Sequence, residues 1–338
     1  MTMQPPARYV RWRTEYAGRI PDAQGMTSSI HDPDALFELG QALQHAGYRF
    51  VTITPASHRR VNGREGNARA GDLRGVFGWS RPFTEDAVPA EMLALMRRAG
   101  VLRERDGHLC ATVRASTIGE RLYFHSAFPT REDDAVFFGP DTYRYVAALK
   151  RSMEAIAPPR RAVDIGTGSG AGAIEVACRF PDCESVGADI NGFALSLAAV
   201  NARLAGAANV QTLHSDLLKD LDGGFDLVLS NPPYILDPSE LRYRHGGGMH
   251  GAALSVDIVE AALERLRPGG TLLLYTGIAI VDGRDEFLDT VRPRLDACCP
   301  GWRYEELDPD IFGGQLDCEG YEDVERIAAV WLHATMRG

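Results

Sequence analysis

The chain has no run of 18 apolar residues, no Cys-x-x-Cys pair and almost no lysine, and each absence removes a class of protein. Without such a run a membrane-spanning helix is not expected. The polar opening MTMQPPARYVRWRTEYAG does not read as a secretory leader, so the expected compartment is the cytoplasm. Cys110, Cys178, Cys183, Cys298, Cys299 and Cys318 show no zinc-type spacing and read as reduced, structural thiols; Cys298 and Cys299 read as small residues at a helix end before Pro300. Lysine occurs only at positions 150 and 219, so nearly every cation is an arginine. Positive charge is also short overall. A net charge of -10 and a pI near 5.4 disfavour a protein whose main business is gripping the phosphate backbone of a nucleic acid.

What is present is a soluble globular composition, 338 residues with 45% hydrophobic and 24% charged, long enough for two domains. The texture changes near residues 126 to 150. In the second half RAVDI, SVGADI, NVQTLHSD, FDLVLSN and TLLLYTG are short, β-branched-rich apolar runs separated mostly by amphipathic helical stretches. Such alternation predicts an α/β domain with a parallel sheet covered on both faces. After Asn191 and Gly192, Phe193, Leu197, Val200 and Leu204 recur at helical spacing until Gly206, which predicts a helix packing one face on that sheet. RYEELDPD and AAVWLHAT are expected as final strands in an antiparallel edge hairpin.

The first half reads as α+β. Helices are expected from Asp32 to about Ala46 and from about Pro89 to Ala99, with a polar, glycine-rich loop, HRRVNGREGNARAGDLR, between them. GVLRERDGHLCATVRAS and ERLYFHS alternate like the two strands of a wing, so a small winged-helix-like module is expected. The resulting division is an N-terminal substrate-recognition domain, 1–130, and a catalytic domain, 131–338. Trp79 reads as packing between the two. The arginines at 59, 60, 64, 69 and 74 read mainly as a solvated loop, with phosphate contact as the alternative.

The strongest local feature is VDIGTGSGAGAIEVA, residues 163–177, a strand, alternating glycines at 166, 168 and 170 around Thr167, and a helix. Glycines there allow a sharp turn and close approach of a ligand to the helix N-terminus. GTGSGA also satisfies a permissive dinucleotide fingerprint. Asp164 weighs against a pyrophosphate and for a cationic ligand such as the sulfonium and ammonium of S-adenosylmethionine. Asp189, with Ile190 beside it, ends the next strand where an acid accepts from ribose hydroxyls. Asp216 and Leu217 end the third, placed for an adenine amine and ring. Each aspartate alone also reads as a helix cap.

The second element is DLVLSNPPYI, residues 226–235. Two prolines fix an extended backbone that aims Asn231 and the adjacent carbonyls into the cleft. The Asn231 carboxamide oxygen and the Pro232 carbonyl are placed to accept the two hydrogens of a planar nitrogen, with Pro233 rigidifying the corner and Tyr234 stacking on the flat group. Asn231 thereby also borders the cofactor. No metal or covalent intermediate is required. His245 and His250 flank GGGM in what reads as a substrate-covering lid rather than a metal site.

Together DIGTGSG and NPPY resemble the class I, Rossmann-like S-adenosylmethionine methyltransferases, and among them the glutamine amide methyltransferases of peptide-chain release factors. The resemblance runs from about Val136 to the C-terminus. FFGPDTY, residues 137–143, resembles that family's signature before the catalytic domain, which implies Thr142 near the methionine part of the cofactor; HGGGMHGAALSVDIVEAALERLRPGGTLLLYTG resembles its glycine-rich loop, helix and fifth strand. Tyr143 stands where the family usually places a second acid, and Arg242, Arg244 and His245 replace its usual loop residues. The resemblance implies a Rossmann-like seven-stranded sheet, S-adenosylmethionine as donor with S-adenosylhomocysteine as product, and N-methylation of an amide or amine on a protein or small molecule. An RNA base amine is the second expectation for the acceptor. A non-catalytic S-adenosylmethionine sensor is the expectation from another class.

Overall fold

A computed structural model describes residues 29–130, 132–236 and 245–338. The first helix, α1 (Pro33–His45), starts where Asp32 accepts the Ala35 N–H at 2.9 Å and Pro33 presets the first turn. The stretch expected as a polar loop is partly helical. Thr54 caps α2 (Pro55–Asn62) by accepting from the Ser57 N–H, and Asp72 caps the single turn α3 (Leu73–Phe77). His58 and Gly75 are buried there, because local capping outweighs the polar composition that suggested a bare loop. The Trp79 ring packs on Phe50 and His58 at 5.3 and 5.6 Å with Arg81 over it, at the border of an apolar cluster that also holds Phe193, Leu197 and Val200.

α4 (Ala90–Ala99) ends on Gly100 in the left-handed region, and two hairpins follow instead of one wing. β1 (Leu102–Arg105) pairs with β2 (His108–Ala111) across Asp106 and Gly107, both at positive φ, while β3 (Val113–Ile118) pairs with β4 (Arg121–Ser126) across Gly119 and Glu120. Each short turn closes its own ladder, which is why the alternation splits into two pairs.

Beyond this come α5 (Pro140–Met153), β5 (Arg161–Ile165), α6 (Ala171–Arg179), β6 (Glu184–Asp189), α7 (Gly192–Leu204), β7 (Val210–His214) and β8 (Phe225–Ser230). Then follow α8 (Ala253–Arg265), β9 (Leu266–Val281), β10 (Arg284–Asp285), α9 (Glu286–Cys298), β11 (Arg303–Asp308) and β12 (Arg326–Thr335). The main sheet has the order β11-β12-β9-β8-β5-β6-β7, with β10 as a short addition to β9. Strands β5 to β9 are parallel; β12 runs antiparallel to β9 and lies inside the sheet, so of the expected hairpin only β11 forms the edge. Because side chains alternate across a strand, Leu227, Leu229, Leu273 and Tyr275 bury against α5 and α6, while Val228, Leu272 and Leu274 bury against α8 and α9. No described helix is long and apolar enough to cross a membrane.

α7 differs from its expected packing. Phe193, Leu197 and Val200 turn toward the N-terminal elements and share a cluster with Leu36, Leu39 and Phe124; Ala202 lies in the core of the sheet. The larger apolar stripe therefore seats N-terminal elements such as α1 and β4, and small residues face the strands. On the same helix the fully buried Asn201 accepts the Phe124 N–H at 2.7 Å and donates to the carbonyls of Phe124 and Ser169, both at 2.9 Å. Glu175, 3% exposed on α6, pairs with Arg121 on β4 at 3.0 Å and Lys150 on α5 at 3.2 Å. β4 is thus fixed to α7 beside the glycine turn and to α6.

Candidate active site

In a doubly wound sheet the strand order reverses between β5 and its neighbours β6 and β8, and a crevice opens beyond the carboxyl ends of these strands. Here the crevice is a cavity of about 480 Å³, inside the range of small-molecule sites. Its floor comes from the turns after β5, β6, β7 and β8. Pro55, Arg59 and Phe128, from before β5, also line the cavity.

Asp164 lies 2% exposed at the end of β5. Its carboxylate accepts from the Thr167 hydroxyl at 2.7 Å, the Ala173 N–H at 3.1 Å and the Tyr145 hydroxyl at 3.2 Å. Burial pushes its pKa up to about 6, against the pull of those three donors. Gly172 must lack a side chain: a Cβ there would sit 2.2 Å from the Tyr145 oxygen and 2.7 Å from that of Asp164. In the turn, the N–H groups of Gly166 and Thr167 donate to the Ala188 carbonyl at 2.8 and 3.0 Å, and that of Gly168 to Asp189 at 2.9 Å. These hydrogens are spent on β6, so a pyrophosphate would find them occupied. Gly170 does not line the cavity; it caps α6 at φ 82°, against Ala198 of α7.

Asp189 lines the cavity with one oxygen on Gly168 and the other on the Asn191 N–H at 2.9 Å, each keeping capacity for a further donor. Burial raises its pKa. Ile190, 47% exposed, and Leu217 offer apolar surface to the same space, the arrangement a flat ring needs. Asp216 lines it too while paired with Lys219, and Thr142, bonded to the Gly139 N–H at 3.2 Å, does so from the first turn of α5.

Asn231, Pro232, Pro233 and Tyr234 line the cavity where β8 ends. Among the described residues the Asn231 carboxamide has no hydrogen-bond partner, while the preceding Ser230 hydroxyl is anchored on the Ile165 carbonyl at 2.7 Å. Tyr234 is 7% exposed. Its ring lies on Gly277, whose Cβ would come within 2.3 Å of it, and its hydroxyl is bonded to Asp141. Asp141 also accepts from the Tyr275 hydroxyl at 2.8 Å and from Arg144 at 3.2 Å, and burial raises its pKa. The sequence reading did not single out Asp141 or Phe312, another lining residue, which stands edge-on to Tyr234 at 6.0 Å with φ at 54°.

The described part of the glycine-rich loop is a buttress rather than a free flap. His245 bridges to Ile235, the Gly246 N–H donates to the Ile235 carbonyl at 2.8 Å, and a Cβ on Gly251 would meet the Tyr234 carbonyl at 2.4 Å. His250 pairs with Asp323 at 3.2 Å. Arg242 and Arg244 lie outside the described residues. Among the described residues no three His, Cys, Asp or Glu side chains converge as metal ligands.

The cavity and sheet order are those of a Rossmann-like fold, and residues 146–278 match the family described as methyltransferase small domain. The chain is 38% identical over 128 residues to the release factor glutamine methyltransferase of Salmonella typhimurium, covering 35% of this chain and 46% of that one. It is 35% identical over 129 residues to the ribosomal protein uL3 glutamine methyltransferase of Neisseria meningitidis, covering 34% and 42%. The chain spans about half the length of such curated relatives. Among solved structures, the Methanocaldococcus jannaschii tRNA m1G37 methyltransferase aligns with TM-score 0.45 and 16% identity, covering 68% of this chain and 60% of that one.

Proposed function

We propose that this chain is an S-adenosylmethionine-dependent methyltransferase acting on a planar amide nitrogen of a glutamine presented by a protein, residues 1–130 selecting the acceptor and 131–338 carrying out the transfer. The observation that carries the reading is the Asn231 carboxamide, unbonded to other described side chains, in one cavity with Asp189 and Asp164. Relatives that share the domain are named for glutamine methylation of release factor and of uL3. The donor supplies a methyl group on a positively charged sulfur, already activated for transfer. Asp189 receives the ribose hydroxyls, Ile190 and Leu217 enclose the adenine with Asp216 at its amine, and Thr142 and the buried Asp164 face the methionine end. Asn231 and the Pro232 carbonyl accept the two amide hydrogens, orienting the nitrogen and drawing its lone pair out of the amide plane. Tyr234, fixed by Asp141 and Gly277, holds the flat group in place.

The test is mass spectrometry of cell extract incubated with the protein and isotopically labelled donor. Label on a glutamine amide of one or a few proteins is the expected result. Label confined to RNA or metabolites would overturn the acceptor class, and binding without any transfer would overturn the enzyme.

A pH dependence follows from Asp164. Its folded pKa near 6 lies above the usual 3.8, so the ligand-free protein loses stability as pH rises from about 4 to 6, and a cation in the cavity reverses the preference by favouring the carboxylate. Donor affinity should therefore strengthen through pH 6 and level off above pH 7, by about tenfold for each unit by which binding lowers that pKa. Calorimetry between pH 5 and 8 measures this; an affinity flat across the range would remove Asp164 from the donor's charge environment.

A further inference from the structure

Charge in the cavity is lopsided. Among the described lining residues four are carboxylates, Asp141, Asp164, Asp189 and Asp216, and a single one, Arg59 on α2, is a cation. The carboxylates are engaged by hydroxyls, backbone N–H groups, Arg144 or Lys219. Arg59 has no ion pair or side-chain hydrogen bond among the described residues, and it is an exposed residue that lines the cavity.

A second cation, Arg114, acts on the same helix through His58. Among the described residues Arg114, 4% exposed, has no carboxylate partner: its Nε donates to the Gly78 carbonyl at 2.9 Å, its guanidinium lies 5.5 Å from the Phe50 ring centroid, and its Nη2 meets no acceptor there. Its charge reaches His58, the neighbour of Arg59; burial and then that cation lower the His58 pKa to about 4, so the imidazole stays neutral and supplies no compensating charge. A third observation ties the α2 segment to the start of α5. The Thr52 N–H, just before α2, donates to the Tyr143 hydroxyl at 3.0 Å, and Thr52 Oγ1 bonds Ser116 at 2.5 Å, which in turn bonds His125. Tyr143 is the residue after Thr142. The tyrosine that replaces an expected acid therefore ties the α2 segment to the first turn of α5.

The donor carries two positive charges, but also a carboxylate, which four aspartates would repel. We propose that Arg59 binds a carboxylate within the cavity, that of the donor's methionine end, so that a residue of the first 130 completes the donor site. This rests on the donor proposed above. An acidic group on the acceptor is the other source of the same chemistry, and the experiment separates the two.

Calorimetry with the full chain, Arg59→Gln and Arg59→Lys uses three probes: S-adenosylmethionine, S-adenosylhomocysteine and 5′-methylthioadenosine, which keeps nucleoside and sulfur but has no amino-acid part. Arg59→Gln is expected to weaken the first two by about tenfold or more, to leave methylthioadenosine unchanged, and to be partly rescued by Arg59→Lys, which keeps the charge without the fork. Unchanged binding of all three with impaired labelling of extract, restored in part by lysine, assigns the carboxylate to the acceptor instead. Equal weakening of all three probes, or no change in binding or labelling, overturns the proposal. A wild-type chain that binds none of the probes overturns the donor reading itself, a separate outcome.

Discussion

Asn231→Ala should keep its donor affinity within about threefold and lose at least a hundredfold in methyl transfer, the scale on which a single preorganised polar group acts in a transition state. The structural reason is that nothing among the described residues relies on this side chain. The turn after β8 is held by the Ser230 hydroxyl on Ile165, by the two prolines and by Tyr234 with Asp141, so removing the carboxamide leaves the corner standing. What disappears is the acceptor aimed at the amide hydrogens. Without it the nitrogen rotates freely and keeps its lone pair delocalised. Asn231→Asp is the informative companion, since it retains an acceptor oxygen but adds a charge to a cavity already lined by four aspartates; it should recover only part of the loss. Labelled transfer to extract protein, with calorimetry on the same samples, measures both quantities. Full turnover in Asn231→Ala would defeat the assigned role.

The floor of this site was legible because it is local. A strand ending in a glycine turn, an acid at the next strand end and a proline pair after β8 each sit within a few residues of a strand, and parallel register then brings them to one edge. Residues whose significance depends on distant partners were not legible. Asp141 in FFGPDTY has the pattern of an ordinary acid in a helix's first turn after a proline; its burial arises from Tyr234 and Tyr275, about a hundred residues further on. Phe312 lies in a connection whose composition suggests only a loop, and its value comes from the positive φ that turns it to the cavity. The helix in the arginine-rich stretch is hidden for a related reason. Its composition is that of solvent-facing chain, yet Thr54 and Pro55 start a helix there that buries His58 and presents Arg59 to the cavity. The periodicity of α7 marks a buried helical face but does not say which neighbour covers it, and α1 and β4 take the place expected for the sheet.

The glycine-rich loop after the proline pair carries the second large effect, because its glycines fill a role that the sequence suggested for a moving lid. A Cβ on Gly246 would lie 1.9 Å from the Gly251 carbonyl oxygen and 2.8 Å from that of Pro233, both backbone atoms with no rotamer to escape into. Accommodating it requires the loop and the Pro233–Ile235 segment to separate, although the Gly246 N–H holds Ile235 and the Gly246 carbonyl holds the Leu254 N–H. Gly246→Ala should therefore cost about 1–3 kcal/mol of stability, as overpacking does. Since displacement of a reactive corner by about 1 Å is worth roughly a hundredfold in rate, transfer should fall by about ten- to a hundredfold. Donor affinity should hardly change, because Asp164 and Asp189 stand on β5 and β6. Gly248→Ala is the control within the same loop: a Cβ there meets nothing within 4 Å and its φ of -61° suits any residue, so stability and turnover should stay as they are or rise slightly. Urea denaturation and labelled transfer on the two variants distinguish the cases, and equal behaviour of Gly246→Ala and Gly248→Ala would mean that the loop does not set the position of the proline corner.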